Sequence, residues 1–199
     1  MVVAMTNKRI FKKQNKKIHI KRRLFFFVVV PIAALGAIYY ETTQHILINV
    51  TNSMPIGVYE KMPVDTLNVG DVVSFCLDDD KAKLALDNNI MAHNRQCDNG
   101  SEMLIKEIIA VPTDLVIVKS EGMEVDYEKI HYLYPAPRYS FSPRTHKPVL
   151  TLIDTGKYKS TGYWMYGEYN YKNSWDSRYF GQVSRSNIIN KLDPLFIWE

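Results

Sequence analysis

The sequence predicts a mostly β, antiparallel domain behind one N-terminal transmembrane helix. Three observations carry this expectation. The uncharged run "LFFFVVVPIAALGAIYY", Leu24 to Tyr40, directly follows a tail crowded with Lys and Arg. Beyond it, short runs rich in β-branched and aromatic residues recur between turn residues, the pattern of strands. Only one window, "DDDKAKLALDNNI", reads as a convincing helix.

The overall formal charge of +4 is unevenly spread. Residues 1–23 hold nine Lys or Arg and no acid, so the rest of the chain stands at −5. A basic tail alone could bind nucleic acid, but one abutting an apolar run reads as a membrane signal, so the partner is a lipid bilayer and not nucleic acid. Seventeen residues from Leu24 to Tyr40 lie at the short end of a spanning helix, and Pro31 and Gly36 are tolerated in membranes. Tyr39 and Tyr40 suit an interfacial belt, whereas Ala33, Ala34, Gly36 and Ala37 leave a cleavable signal peptide as the competing reading. The positive-inside rule keeps the tail cytoplasmic and exports the chain beyond Tyr40. The expected organisation is a tail over 1–23, an anchor over 24–40 and a single exported domain over 41–199.

Cys76 and Cys97, the only two cysteines, both fall in the exported part. An oxidising compartment favours a disulfide between them, closing a loop of about 20 residues worth about 3 kcal/mol. Two free buried thiols are the alternative. The pair offers too few ligands for a metal, and no cofactor is implied.

In chain order, "HILINV" is a short β-branched run and "DVVSFC" alternates weakly. "LIKEIIAV" and "DLVIVKS" are two apolar runs parted by "PTD", and "VIVKSEGMEVDY" reads as a hairpin around Glu121 and Gly122. In "DDDKAKLALDNNI" an aspartate can cap the helix. "YLYPAPRYSFSPRTHKP" holds four prolines, so it belongs on the surface and not in a central strand. "GYWMYGEYN" prefers a pleated surface.

Chemistry concentrates at "NVTNSMPIGVYEKMP". Pro55 fixes its own φ and restricts Met54, and Gly57 frees the backbone, so the segment after Ser53 is locally rigid, as a nucleophile requires. A serine nucleophile needs a base. His45, His93, His131 and His146 show no acid-His-Ser pattern, and His19 lies in the tail. Lys106 stands within an apolar strand, where burial would lower its pKa and make it a base; the bland alternative puts it on the polar face of an alternating strand. Ile56 and Val58 beside Ser53, close behind the anchor, suggest that this surface faces the bilayer.

"NSMPIGVY", "GDVVSF", "LIKEIIAVPTD" and "NSWDSRYFG" occur in the order and spacing of the boxes of type I signal peptidases. The chain resembles that family from Ser53 to Gly181. The Ser-Met-Pro-x-Gly form, with one cysteine after "GDVVSF" and another before the lysine box, is similar to the conjugative-transfer, TraF-type branch. The resemblance implies a signal-peptidase-like antiparallel β fold and a Ser-Lys dyad, with Ser53 as nucleophile and Lys106 as general base. It implies an oxyanion hole from the backbone N–H of Ser53 and the hydroxyl of Thr51. It assigns Ser174 to holding the lysine ammonium, and Asp176 and Arg178 to buttressing the site, where an exposed ion pair is the plainer alternative.

By the same resemblance the chain is a serine endopeptidase of the bacterial inner membrane, single-pass, with its catalytic domain periplasmic. Its substrate is a precursor protein, a pilin precursor of a conjugation system above all, cleaved through an acyl-enzyme that water or an amine then captures. Two departures stand out: "GEYNYKNS" replaces a Gly-Asp-Asn opening, and Thr113 occupies a position that is usually Gly. A catalytically inactive structural component of a pilus or secretion assembly is the alternative. A self-cleaving repressor is excluded by the apolar span, and a penicillin-binding enzyme by Ile56, which stands where a Ser-x-x-Lys motif needs its lysine.

Overall fold

The computed structural model describes residues 25–127, 130–136, 140–141, 148–149 and 153–198. The basic tail over 1–23, Leu24, His146 and most of the proline-rich stretch lie outside the described residues. The chain divides into two compact units, Met1–His45 and Ile46–Glu199.

In the first unit a wide π-type turn, Phe25–Val29, leads into helix α1 (Val30–His45). Pro31 accounts for the wide turn, because it lacks an N–H and its ring crowds the carbonyl four residues back. The stretch Phe26–His45 has 20 residues and is long and apolar enough to cross a membrane. The helix therefore continues past Tyr40 to His45, through Thr42 and Thr43, whose hydroxyls donate back to the carbonyls of Ile38 and Tyr40.

The second unit is antiparallel β structure, as expected. Its elements are β1 (Ile46–Asn49), β2 (Gly57–Met62), β3 (Val72–Phe75), α2 (Asp79–Asp87), β4 (Leu104–Ala110), β5 (Leu115–Lys119), β6 (Gly122–Tyr127) and β7 (Ile130–Pro135). There follow β8 (Ser140–Phe141), β9 (Pro148–Val149), β10 (Gly156–Lys159), β11 (Trp164–Tyr166), the short helix α3 (Ser177–Phe180) and β12 (Ile188–Ile197). Six strands form one sheet in the order β1-β2-β12-β3-β4-β11, four form a second in the order β10-β5-β6-β7, and β8 pairs with β9.

Several strands escaped the sequence reading, β2, β10 and β12 among them. β12 contains Asn190, Lys191, Asp193 and Pro194, poor strand formers, yet it runs between β2 and β3. Pro194 is tolerated because β3 pairs with β12 only as far as Leu192, so Pro194 is flanked by a strand on one side only, opposite Tyr59 of β2. β2 itself begins at Gly57, where an added Cβ would stand 2.3 Å from the carbonyl oxygen of Phe196. The close crossing of β12 is what demands glycine there.

β4 is the hub of packing because it is covered on both faces. Ile108 joins the cluster of Phe75, Trp175, Tyr179 and Phe180, and Ile109 joins that of Val116, Met123 and Trp164. Ile105 packs with Leu47, Met54, Tyr59 and Leu192. Lys106 thus sits on the one strand where three apolar clusters meet.

The expected cap of α2 takes another form. Asp78 occupies the N-cap position but makes no side-chain cap bond; its carboxylate accepts from Lys81 at 3.0 Å and from Asn187 Nδ2 at 2.6 Å instead. The disulfide Cys76–Cys97, with its Cα atoms 5.9 Å apart, closes the loop that holds α2.

The "VPTD" turn puts Thr113 in a conformation that suits glycine. The N–H of Asp114 returns to the carbonyl of Val111 at 3.2 Å, so Pro112 and Thr113 are the central residues of a β-turn. Thr113 has φ +86°, the value that a type II turn imposes on its third residue. A β-branched residue is strained there. Thr113→Gly is expected to raise unfolding stability by about 1 kcal/mol, net of glycine's greater freedom in the unfolded chain, read as a higher midpoint in denaturant melts.

Candidate active site

The first candidate, Ser53, is carried by the loop between β1 and β2. The strand pairing ends at Asn49 opposite Gly57, so residues 50–56 form an irregular connection. Tyr59, 1% exposed, donates its hydroxyl to the Pro55 carbonyl at 2.7 Å and pins the far side of the loop.

The second candidate, Lys106, arrives from β4, opposite Val73 of β3. It is only 3% exposed, so the reading that placed it on a solvated strand face does not hold. Both faces of β4 are covered, and alternation along the strand therefore does not report exposure. Lys106 Nζ lies 2.8 Å from Ser53 Oγ and donates to the carbonyl of Ile105 at 3.0 Å. As an ammonium it donates to the serine; as a neutral amine it accepts the serine proton across the same distance.

Burial lowers the Lys106 pKa to about 8, with Arg178 adding to the fall and Asp176 and Glu102 opposing it. The charged form loses hydration that two hydrogen bonds only partly replace.

Asp176 and Arg178 lie behind this pair, and they are buried, not exposed as the plainer reading had it. Asp176 is 0% and Arg178 2% exposed. Arg178 Nε and Nη2 donate to the two oxygens of Asp176 at 2.6 and 2.7 Å, a bidentate pair. Its remaining donors reach the carbonyls of Pro135 and Tyr171, both at 2.7 Å. The Asp176 carboxylate also accepts from the N–H groups of Gly167 and Arg178, which ties β11 to the start of α3.

Ser174 is buried in the same region, but its Oγ makes no hydrogen bond to Lys106 or to any other described residue. It packs against Gly167 instead: an added Cβ there would stand 2.2 Å from Ser174 Oγ and 3.1 Å from the carbonyl oxygen of Ser53. Gly167 is therefore the contact through which the "NSWDSRYFG" segment and the serine loop meet. Thr51 lies beside Ser53, and its hydroxyl donates to Asn49 Oδ1 at 2.7 Å, so its single proton is engaged there.

Ser53, Thr51, Lys106 and Ser174 all line one cleft of about 340 Å³. Ile90, Met91, Asn94 and Gln96 of the disulfide-closed loop form part of its wall. The sequence reading missed Asn49, Tyr59 and Gly167; the only signal available was that a polar Asn ends an apolar strand and that a Gly opens the last box. Among the described residues no group of three or more His, Cys, Asp or Glu is arranged to hold a metal.

Two stability outcomes are expected. Asp176→Ala leaves a buried guanidinium unpaired and is expected to cost about 3–5 kcal/mol by chemical denaturation. Lys106→Met removes a buried ammonium and is expected to raise the thermal midpoint at pH 7. The folded Lys106 pKa, about 8, lies below the ordinary value of 10.5, so the unfolded chain binds more protons between these values. Parental stability therefore rises with pH across that window, and the advantage of Lys106→Met shrinks there; a gap that is constant with pH contradicts the burial argument.

Comparison with known proteins agrees with this architecture. The sequence profile described as "Signal peptidase, peptidase S26" matches residues 18–198. The chain is also 26% identical over 170 residues to the plasmid transfer protein TraF of Escherichia coli, spanning 76% of this chain and 82% of that relative. With the profile running through the anchor-like helix, the serine loop, the lysine strand and the last strand, the chain belongs to the signal peptidase family, peptidase S26.

Proposed function

We propose that this chain is a membrane-bound serine endopeptidase that cleaves leader or pro-peptides from exported proteins, using Ser53 as nucleophile and Lys106 as general base. The observation that carries the reading is the 2.8 Å separation between the serine hydroxyl and a lysine amine whose pKa burial brings down to about 8. The neutral amine takes the Ser53 proton as Oγ attacks the scissile carbonyl. The backbone N–H of Ser53 is the first oxyanion donor; the Thr51 hydroxyl becomes the second by exchanging its bond to Asn49 for one to the developing charge. Lys106 then protonates the leaving amine, and water or another amine resolves the acyl-enzyme. Asp176 and Arg178 hold the last box in place behind the pair, and Ser174 lines the cleft, packed against Gly167 with its Oγ unbonded.

A pilin precursor of a conjugation system is the substrate we favour, since the similar TraF protein is a plasmid transfer protein. The basic tail orients the domain outward, and the disulfide suits an oxidising periplasm. Ile48, Val58 and Phe196 stand in cross-strand register on one sheet face, with the first and last 63% and 58% exposed. Trp198 packs edge-on to Phe196. We assign this apolar face to the bilayer interface, where a leader peptide would emerge.

Co-expression with a candidate pilin precursor, followed by mass spectrometry, tests the reading. Ser53→Ala and Lys106→Ala are each expected to slow cleavage by about a thousandfold or more. An inactive structural component would show no cleavage by the parent either. A product lighter by one water than the hydrolysed form reports capture by the pilin's own amine. The rate of the parent is expected to climb with pH through about 8 as Lys106 loses its proton; a flat profile there removes the lysine-base assignment.

A further inference from the structure

The loop that carries Ser53 has no regular structure, so its backbone groups need partners from elsewhere. One side chain engages four of these groups. Asn49, the last residue of β1, is 2% exposed. Its Nδ2 donates to the carbonyl of Pro55 at 2.9 Å and to those of Thr51 and Met54, both at 3.1 Å. Its Oδ1 accepts the Thr51 N–H at 3.0 Å and the Thr51 hydroxyl at 2.7 Å. The Pro55 carbonyl takes a second donor, the hydroxyl of Tyr59 at 2.7 Å. Ser53 is thereby bracketed, with Thr51 held before it and Met54 and Pro55 held after it.

Asparagine is the side chain that this geometry requires. Aspartate would keep the acceptor for Thr51 but lose both donors to the carbonyls, and alanine would leave the whole set without its hub. Tyr59 reaches the loop from β2, the strand on its C-terminal side, so the clamp joins the two strands flanking the serine.

We propose that Asn49 and Tyr59 are positioning residues that clamp the 50–56 loop, so that Ser53 closes over Lys106 and the Thr51 hydroxyl stays poised beside it. The proposal rests on the peptidase reading above. Neither side chain touches the reacting atoms; both act through the loop. Loosening the loop admits water to Lys106, while Asp176, Arg178 and Glu102, the charges that act on it, are left unchanged. The lysine then regains hydration and needs a higher pH to become a base. A loss of global stability by itself would not move the titration of the molecules that remain folded.

The test uses the full chain in detergent micelles. The Lys106 amine is titrated by NMR, and cleavage of a synthetic peptide containing an Ala-Xaa-Ala sequence is followed at pH 8. Asn49→Ala is expected to raise the Lys106 midpoint by about one pH unit and to lower kcat roughly 10- to 100-fold, with KM little changed. Tyr59→Phe is expected to move both readings the same way by a smaller amount. Parental midpoints and rates in both variants, with Ser53→Ala inactive, overturn the clamp. Should Asn49→Ala fail to fold, Tyr59→Phe decides by the same two measurements. Undiminished cleavage by Ser53→Ala instead defeats the peptidase reading, and the clamp is then judged on the titration alone.

Discussion

A lysine amine enclosed by protein and held against a serine hydroxyl is the interaction on which the rest of the structure depends. Burial is costly for an ammonium and cheap for an amine, so the surroundings of Lys106 set its proton affinity as surely as they set its position. Three apolar clusters converge on β4 and remove water from the lysine. The strand registers then decide what the dehydrated amine meets, and it meets the loop between β1 and β2. Packing and chemistry are one arrangement here: the residues that make the domain stable also weaken the lysine's hold on its proton.

The bidentate pair of Asp176 and Arg178 shows the same economy at longer range. Both charges are buried, and each remaining hydrogen-bonding group is satisfied by backbone: Arg178 through Pro135, Tyr171 and Ser174, Asp176 through Gly167 and Arg178 itself. Such a pair contributes little net stability compared with apolar residues of the same shape, but removing one partner is severe. Its value lies in specificity of arrangement. It joins β7 of the smaller sheet, β11 of the larger one and α3 at a single point, and it contributes two opposed charges to the electrostatics of Lys106. Gly167 completes the junction by letting Ser174 and the Ser53 backbone approach to a distance no side chain would allow.

The candidate site was more legible in the sequence than its supports were. Ser53 and Lys106 were singled out because they fall in boxes that resemble those of signal peptidases; the Pro-Gly segment beside the serine and the apolar run around the lysine agreed, but alternation alone suited a solvated face for Lys106 equally well. Asn49 and Tyr59 gave no comparable signal, since an Asn at a strand end and a Tyr within a strand are common. Their importance comes from bonds to Thr51, Met54 and Pro55 that exist only once the loop has folded back. β12 was missed for a related reason. Its Asn, Lys, Asp and Pro disfavour a strand by propensity, and the pairing with β2 and β3 that overrides this comes from residues far away in the chain. Thr113 was visible as a departure, but that it bears a positive φ needed the turn itself.

By itself the sequence determined what depends on neighbours along the chain: an apolar helix long enough to cross a membrane, a mostly β domain after it, and two residues whose local context suited a nucleophile and a base. Only the tertiary structure decided that Lys106 is buried instead of solvated, that Asp176 and Arg178 form an interior pair, and that the Thr51 hydroxyl is engaged by Asn49. The physical reason is that exposure and hydrogen-bond partnership are properties of contacts between distant segments. Strand periodicity records which way a side chain points; whether water waits there depends on what packs over it.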